Sequence, residues 1–278
     1  MDISMTSQTA RAAKSQSPVL LRETIGSIRL LTLNRPSSRN SLSEELIAEL
    51  HAALTDVGDD RAVRAVVIAA NGSAFSAGHD MRELTARRND ADRGRAYFAQ
   101  VMNACSAMMQ VIVGLPKPVI AAVQGVATAA GCQLVSTCDL AVASETATFA
   151  TPGVDIGLFC STPMVAVSRN IPRKQAMEML LTGEPVSAAR AREIGLVNQV
   201  VAPGSELDAA IAMAEKVALK SAYTIGIGKA AFYHQLEMSL ADAYRYAAEV
   251  MTENMMARDA EEGIGAFLEK REPKWQDR

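Results

Sequence analysis

Two runs in the sequence, residues 65–70 (AVVIAA) and 119–123 (VIAAV), contain no polar side chain at all. Both are strand-sized. A strand with one wet face alternates polar and apolar residues, so these two must be covered on both faces. A third, shorter run, 140–143 (LAVA), has the same character. Helical patterns lie between them. Buried strands alternating with helices describe an α/β chain built on parallel sheet.

The flanks add detail. Residues 19–24 and 27–34 are β-type runs separated by Gly26, a predicted hairpin. Ser41 and Glu44 have capping-box spacing. Leu46, Ile47, Leu50, Leu54 and Val57 follow with helical period, predicting a helix over 43–57. A longer helix is predicted over 91–113. Beyond residue 205 every pattern is helical: 206–220, 224–235, 239–254 and 258–270. Pro203-Gly204 therefore marks a boundary between an α/β core at 18–204 and a helical part at 205–278. Residues 1–17 are predicted to be a disordered tail.

Composition removes several functions. Lys and Arg number 28 against 31 Asp and Glu, a net charge of −3, without the basic excess of a nucleic-acid binder. Aromatic residues are only 4% of the 278, so clefts that stack bases or sugars are not expected. No uninterrupted apolar run has the 18–20 residues or so of a membrane span, and the first 17 residues lack the apolar stretch of a secretory signal. These features predict a cytoplasmic protein, or one of the mitochondrial matrix if the source is eukaryotic. Cys105, Cys132, Cys138 and Cys160 form no CxxC pair, and there are three histidines, so no metal template fits. The cysteines are read as reduced, buried, small apolar side chains.

Three segments have the composition of a site. Residues 71–84 (NGSAFSAGHDMREL) leave a buried strand through small residues and meet a helix at Asp80. Residues 117–139 (KPVIAAVQGVATAAGCQLVSTCD) take a buried strand through a Gly/Ala-rich turn into a helix. Small side chains let a ligand approach the backbone, and unpaired N–H groups at such turns can hold an oxyanion. Residues 148–157 (TFATPGVDIG) form a Pro/Gly loop after the next strand.

In this order the segments resemble the crotonase, or enoyl-CoA hydratase/isomerase, superfamily. The likeness rests on AFSAGHD at 74–80, KPVIAAVQG at 117–125, GCQL and CDLAVA within 131–143, LLTGEPVSAARAREIGLVNQVV at 180–201 and EGIGAFLEKREPKW at 262–275. It extends from residue 19 to the C-terminus, and the run 151–185 points to one branch of the family. The resemblance implies a ββα spiral core whose C-terminal helices mediate trimerisation, as a homotrimer or a hexameric dimer of trimers. The implied ligand is an acyl-CoA thioester, with coenzyme A entering as part of the substrate and no permanently bound cofactor. The implied oxyanion donors are the backbone N–H groups of His79 and Ala130. Ala77, His79 and Asp80 would border the thioester. Lys229, Lys270 and Arg271 would meet the CoA phosphates, with Arg35 and Arg39 as further cations of the same kind. No metal, nucleic-acid or membrane partner is expected.

The sequence departs from the family at the positions that do the chemistry. Hydratases of this kind use two glutamates to move protons as water adds across C2=C3. Here the first position is Gln133 and the second is Gly153. An amide does not titrate and glycine has no side chain. The expectation is therefore an acyl-CoA binder of lipid metabolism, with doubtful ordinary hydratase activity, or a regulator that has lost the chemistry. Asp155, the His79 side chain, or an anion held in the Gly153 loop are the candidates to replace the missing carboxylates. Cys160 and Ser161 stand nearby without an evident base.

Overall fold

The structure is a computed structural model that describes residues 17–278. The tail predicted for 1–17 lies, except for Ser17, outside the described residues. Strands β1 (Leu20–Ile25) and β2 (Ile28–Leu33) form the expected hairpin around Gly26, whose φ of +58° is the left-handed turn conformation that glycine adopts without strain. Helix α1 (Glu44–Asp59) follows. Its cap is Ser43, whose hydroxyl accepts the Leu46 N–H, and not Ser41 as the spacing predicts. Ser41 instead bonds the Asp80 carboxylate, because that loop is folded onto the next segment.

Thereafter the chain repeats a turn of strand, short strand and helix. The first turn is β3 (Ala65–Ala70), β4 (Ala74–Ser76), α2 (Met81–Ala86) and α3 (Arg95–Gly114). The second is β5 (Val119–Val123), β6 (Val126–Thr128) and α4 (Ala130–Thr137). The third is β7 (Leu140–Ser144), β8 (Thr148–Ala150), a 3-10 turn at Pro152–Ile156, α5 (Pro163–Asn170) and α6 (Arg173–Thr182). Then come β9 (Val186–Ser187), α7 (Ala188–Glu193), β10 (Gln199–Val201) and helices α8 (Glu206–Ala218), α9 (Ala222–Gln235), α10 (Leu240–Met256) and α11 (Arg258–Glu269).

The long strands make one sheet, ordered β1-β2-β3-β5-β7-β10 and parallel except at the hairpin. The short ones make a second, β4-β6-β8-β9. This is the expected ββα spiral. The short strands are not predicted: β4 and β6 lie in stretches rich in Gly, Ala and Ser that read as loops. They are strands because each finds a parallel neighbour in the next turn of the spiral.

All of β5 and nearly all of β3 are buried, as their composition requires. Ile68, Leu31, Leu50 and Phe75 are fully buried on one side, against α1 and α3. On the other side Ala210 and Ala214 of α8 pack on Ile28, Val67 and Ile120. The first helix after Pro203 thus covers the sheet. Helix α3 has 20 residues and an apolar composition sufficient for a membrane span. Its buried residues Val101, Cys105, Met108, Met109 and Ile112 nevertheless form one stripe, the pattern of a helix docked on a core.

One polar residue ties the segment after the hairpin to the first turn. Asn40 is fully buried with φ +50°, a conformation that Asn tolerates better than most residues. Its Oδ1 accepts the Arg35 N–H at 2.8 Å, and its Nδ2 donates to the Asn71 and Ala74 carbonyls at 2.8 Å each. Its own carbonyl accepts the Ser76 hydroxyl. We expect Asn40→Ala to lower stability by about 3–5 kcal/mol, since it leaves several buried backbone groups unpaired. Urea denaturation measures this.

Candidate active site

Loop 77–80 and the start of α4 face each other, and the hydrogen-bond pattern identifies their free donors. Leu42 forms a parallel bridge with His79. In it, the Leu42 N–H bonds the Gly78 carbonyl at 2.7 Å and the Asp80 N–H bonds the Leu42 carbonyl at 3.2 Å. This pattern uses the residues on either side of His79 and turns its own N–H away from Leu42. Among the described residues, the His79 N–H has no acceptor. On α4 the first intrahelical bond is Gln133 N–H to the Ala129 carbonyl at 2.9 Å. The N–H groups of Ala130, Gly131 and Cys132 are therefore the orphans of a helix start, at the positive end of its dipole.

Two glycines bring the segments together. A Cβ on Gly131 would lie 2.2 Å from the Ser76 carbonyl oxygen. Gly78 has φ +86°, and a Cβ there would lie 2.9 Å from the Ala129 Cβ and 3.3 Å from the Ala130 nitrogen. Neither position admits a side chain. The His79 and Ala130 donors thus lie side by side. Ala129, with φ +50° and ψ −117°, holds a conformation unfavourable to a residue with a Cβ; such strain concentrates at functional sites.

The other predicted residues around the thioester serve the frame. The Ala77 N–H donates to the Arg39 carbonyl at 3.0 Å and is not free. Asp80 caps α2 through the Arg82 N–H and pairs with Arg35 at 3.0 Å. Burial works against its ionisation, but hydrogen bonds from Arg35, Ser41 and the Arg82 N–H outweigh it and hold the carboxyl below its ordinary value. Arg35 is committed to this pair, which corrects its reading as a phosphate cation. The four cysteines are free and buried, as predicted. Burial pushes Cys105 and Cys132 up to about 12 and raises Cys138 and Cys160, so all four are protonated thiols at neutral pH.

Gln133 is buried on α4, and its Oε1 has no hydrogen-bond donor. Gly153 does not open a space. A Cβ there would lie 2.9 Å from the Leu158 carbonyl oxygen and 3.0 Å from the Cys160 Sγ. The room expected there for an anion is taken by residues 158–160. Asp155 is exposed, and its carboxylate oxygens lie 3.1 and 3.2 Å from the Cβ position of Gly183, at the end of α6. It faces that turn.

The cation predictions need correction. The Lys229 ammonium is 7% exposed and spends all three donors internally: Asp139 Oδ2 at 2.6 Å, the Ile112 carbonyl at 2.8 Å and the Lys117 carbonyl at 3.0 Å. Tyr233 and the Val119 N–H complete the Asp139 carboxylate. Lys229 anchors α9 to the sheet and has nothing left for a phosphate. Arg271 is exposed but bound to Glu262 and Glu269, which raise its pKa. Lys270 is exposed in the left-handed residue that ends α11, and makes no ion pair among the described residues.

Two unbonded backbone donors thus meet at a glycine-tight junction of a ββα spiral. A family model for enoyl-CoA hydratase/isomerase matches residues 23–278, and the chain belongs to that family, within the crotonase superfamily. It is 46% identical over 248 residues to enoyl-CoA hydratase domain-containing protein 3, mitochondrial, of Xenopus laevis, covering 89% of this chain and 83% of that protein. The crystal structure of an enoyl-CoA hydratase from Mycobacterium smegmatis matches with a TM-score of 0.88 at 49% identity, over 93% of this chain and 99% of that one. The crystal structure of human enoyl-CoA hydratase domain-containing protein 3 matches with a TM-score of 0.88 at 44% identity, over 92% and 100%. The branch suggested by residues 151–185 is thus borne out. The Xenopus protein is named mitochondrial, so the expectation of a cytoplasmic location finds no support there; the matrix alternative agrees with it.

We expect Lys229→Met to destabilise the fold by about 3–5 kcal/mol, because it strands the Asp139 charge. Affinity for an acyl-CoA, measured by calorimetry, should not change. A selective loss of affinity would restore Lys229 to the ligand site.

Proposed function

We propose that this protein binds an acyl- or enoyl-CoA thioester of lipid metabolism, with the thioester oxygen held between the N–H groups of His79 and Ala130. The observation that carries this reading is the pair of unbonded N–H groups brought together at Gly78 and Gly131. Such donors stabilise the negative charge that develops on a thioester oxygen. Coenzyme A arrives as part of the substrate, and Lys270 and Arg39, both exposed and without an ion pair among the described residues, are the cations left for its phosphates. Ordinary hydration is not the reaction. Gln133 can hold water but cannot accept its proton, and residues 158–160 fill the direction in which a side chain at 153 would extend. General acid–base groups contribute roughly 10²–10⁴-fold, so the site as built is a slow hydratase at best. A second reading, a regulator that binds acyl-CoA without turnover, is favoured by this same filling of the Gly153 side.

The test follows the absorbance of the conjugated thioester with enoyl-CoAs of graded chain length. Wild type should show binding by calorimetry and little hydration. Turnover at ordinary hydratase rates would reject the reading. Gln133→Glu should gain hydration modestly. Gly153→Glu should lose stability instead of gaining activity, since its Cβ meets backbone that cannot swing aside.

We also propose that copies of the chain assemble through α9–α11, as a trimer or a dimer of trimers with the ligand site in each copy. Tyr244 and Met256 on α10 and Phe267 and Leu268 on α11 are 72–81% exposed, and α10 buries none of its residues. Apolar exposure on this scale marks an interface. Light scattering should give a trimer or hexamer, and Phe267→Asp should shift it toward monomer.

A further inference from the structure

Two polar side chains at the oxyanion donors carry buried atoms that are bonded to nothing. Gln133 is 4% exposed and its Oε1 has no donor. Both ring nitrogens of His79 are buried and unpaired. Buried polar groups in native proteins are ordinarily satisfied, and an exception calls for a missing partner. The two belong to one place. Gln133 follows Ala130 by three residues on α4 and so shares the helix face of that free N–H. His79 carries the other free N–H on its own backbone. One donor of the pair is thus the backbone of His79 itself, and Gln133 lies one helical turn beyond the other.

The alternatives for moving a proton are weaker. Asp155 faces Gly183. Cys160 is a protonated thiol and holds no charge to accept a proton with. Gln133 does not titrate. His79 remains, and burial lowers its pKa, with a nearby backbone group of Leu42 opposing only in part, outside hydrogen-bond geometry. The imidazole is therefore neutral at physiological pH, the form that accepts a proton.

We infer that the His79 side chain is the catalytic base of this site, acting on the carbon next to the thioester carbonyl; this rests on the acyl-CoA reading above. In the step, the C2–H bond breaks and its proton passes to an imidazole nitrogen. The electron pair forms the C1=C2 bond of an enolate, and the carbonyl π pair moves onto the oxygen held by the His79 and Ala130 N–H groups. Return of the proton to C2 restores the thioester. With a 3-enoyl thioester, delivery of the proton to C4 moves the double bond from C3=C4 to C2=C3. Neither route consumes water or an oxidant, which suits a site without water-activating carboxylates. The residue is partly exposed while both its nitrogens are covered. Rotation of the ring about χ2 is the movement that presents a nitrogen to the ligand.

The experiment places the full chain with butyryl-CoA in D2O and follows loss of the C2 proton signal by NMR, with affinity measured in parallel by calorimetry. Wild type should exchange its C2 protons. His79→Ala and His79→Gln both keep the backbone N–H, so binding should persist while exchange slows by about 100-fold or more. Melting curves confirm that each variant is folded, and the glutamine, which hydrogen-bonds without titrating, guards against a packing defect. Binding without exchange in wild type, or exchange at the wild-type rate in both variants, would overturn the role of His79. Failure of wild type to bind butyryl-CoA would overturn the acyl-CoA reading itself, and this inference with it.

Discussion

The contact on which the site depends is between two backbones. Gly131, at the start of α4, lies against the Ser76 carbonyl so closely that a single added carbon would collide with it. Gly78 makes the reciprocal approach to Ala129 and Ala130. A packed interior does not yield by an ångström without cost, so these two glycines set the separation of the donors. The short strands β4 and β6 are paired between these contacts, and Asn40 holds the far side of β4 through the Ala74 carbonyl. The pair of N–H groups is thus a product of backbone geometry, and the side chains at 79 and 130 do not have to supply it.

That separation of roles explains what the chain keeps and what it has changed. A backbone oxyanion pair survives substitution of the residues that carry it, provided the glycines and strand pairing remain. Side-chain chemistry has no such protection. The positions that the family resemblance assigns to acid–base glutamates hold glutamine and glycine, and the space beside Gly153 is occupied by the backbone and thiol of residues 158–160. The loop has closed on the position where a carboxylate would stand. On the proposed reading, a scaffold that stabilises an enolate without a carboxylate to activate water suits proton transfer at carbon better than hydration.

Charges in the rest of the molecule are spent on architecture. Asp80 and Arg35 join the first oxyanion loop to the hairpin side. Asp139 and Lys229 join α9 to the central sheet, with Tyr233 on the second carboxylate oxygen. Both pairs are largely buried, and both involve residues whose sequence positions resemble ligand contacts. Burial decides the matter: an ammonium with three internal acceptors has no donor left for a phosphate. Helices α10 and α11 carry the opposite imbalance, with large apolar side chains in water, and the proposed assembly of copies rests on that exposure.

Much of this was legible before any coordinates. Runs such as AVVIAA and VIAAV cannot alternate faces, so they had to be central parallel strands, and helical periods placed α1, α3 and α8–α11 closely. Positions 79, 130, 133 and 153 came from the family resemblance, matched motif by motif. What the sequence alone could not decide was every question of what faces what. The strands β4 and β6 have weak local preference and exist through their neighbours. Ser43, not Ser41, caps α1 because Ser41 is drawn to Asp80. Lys229 became an anchor, Gly153 a filled corner, and His79 a buried ring without a partner. Local pattern determines which segments are strand or helix, because that depends on neighbours in sequence. The fate of a charge or a polar ring depends on groups far away in sequence, and only the tertiary structure brings them into contact.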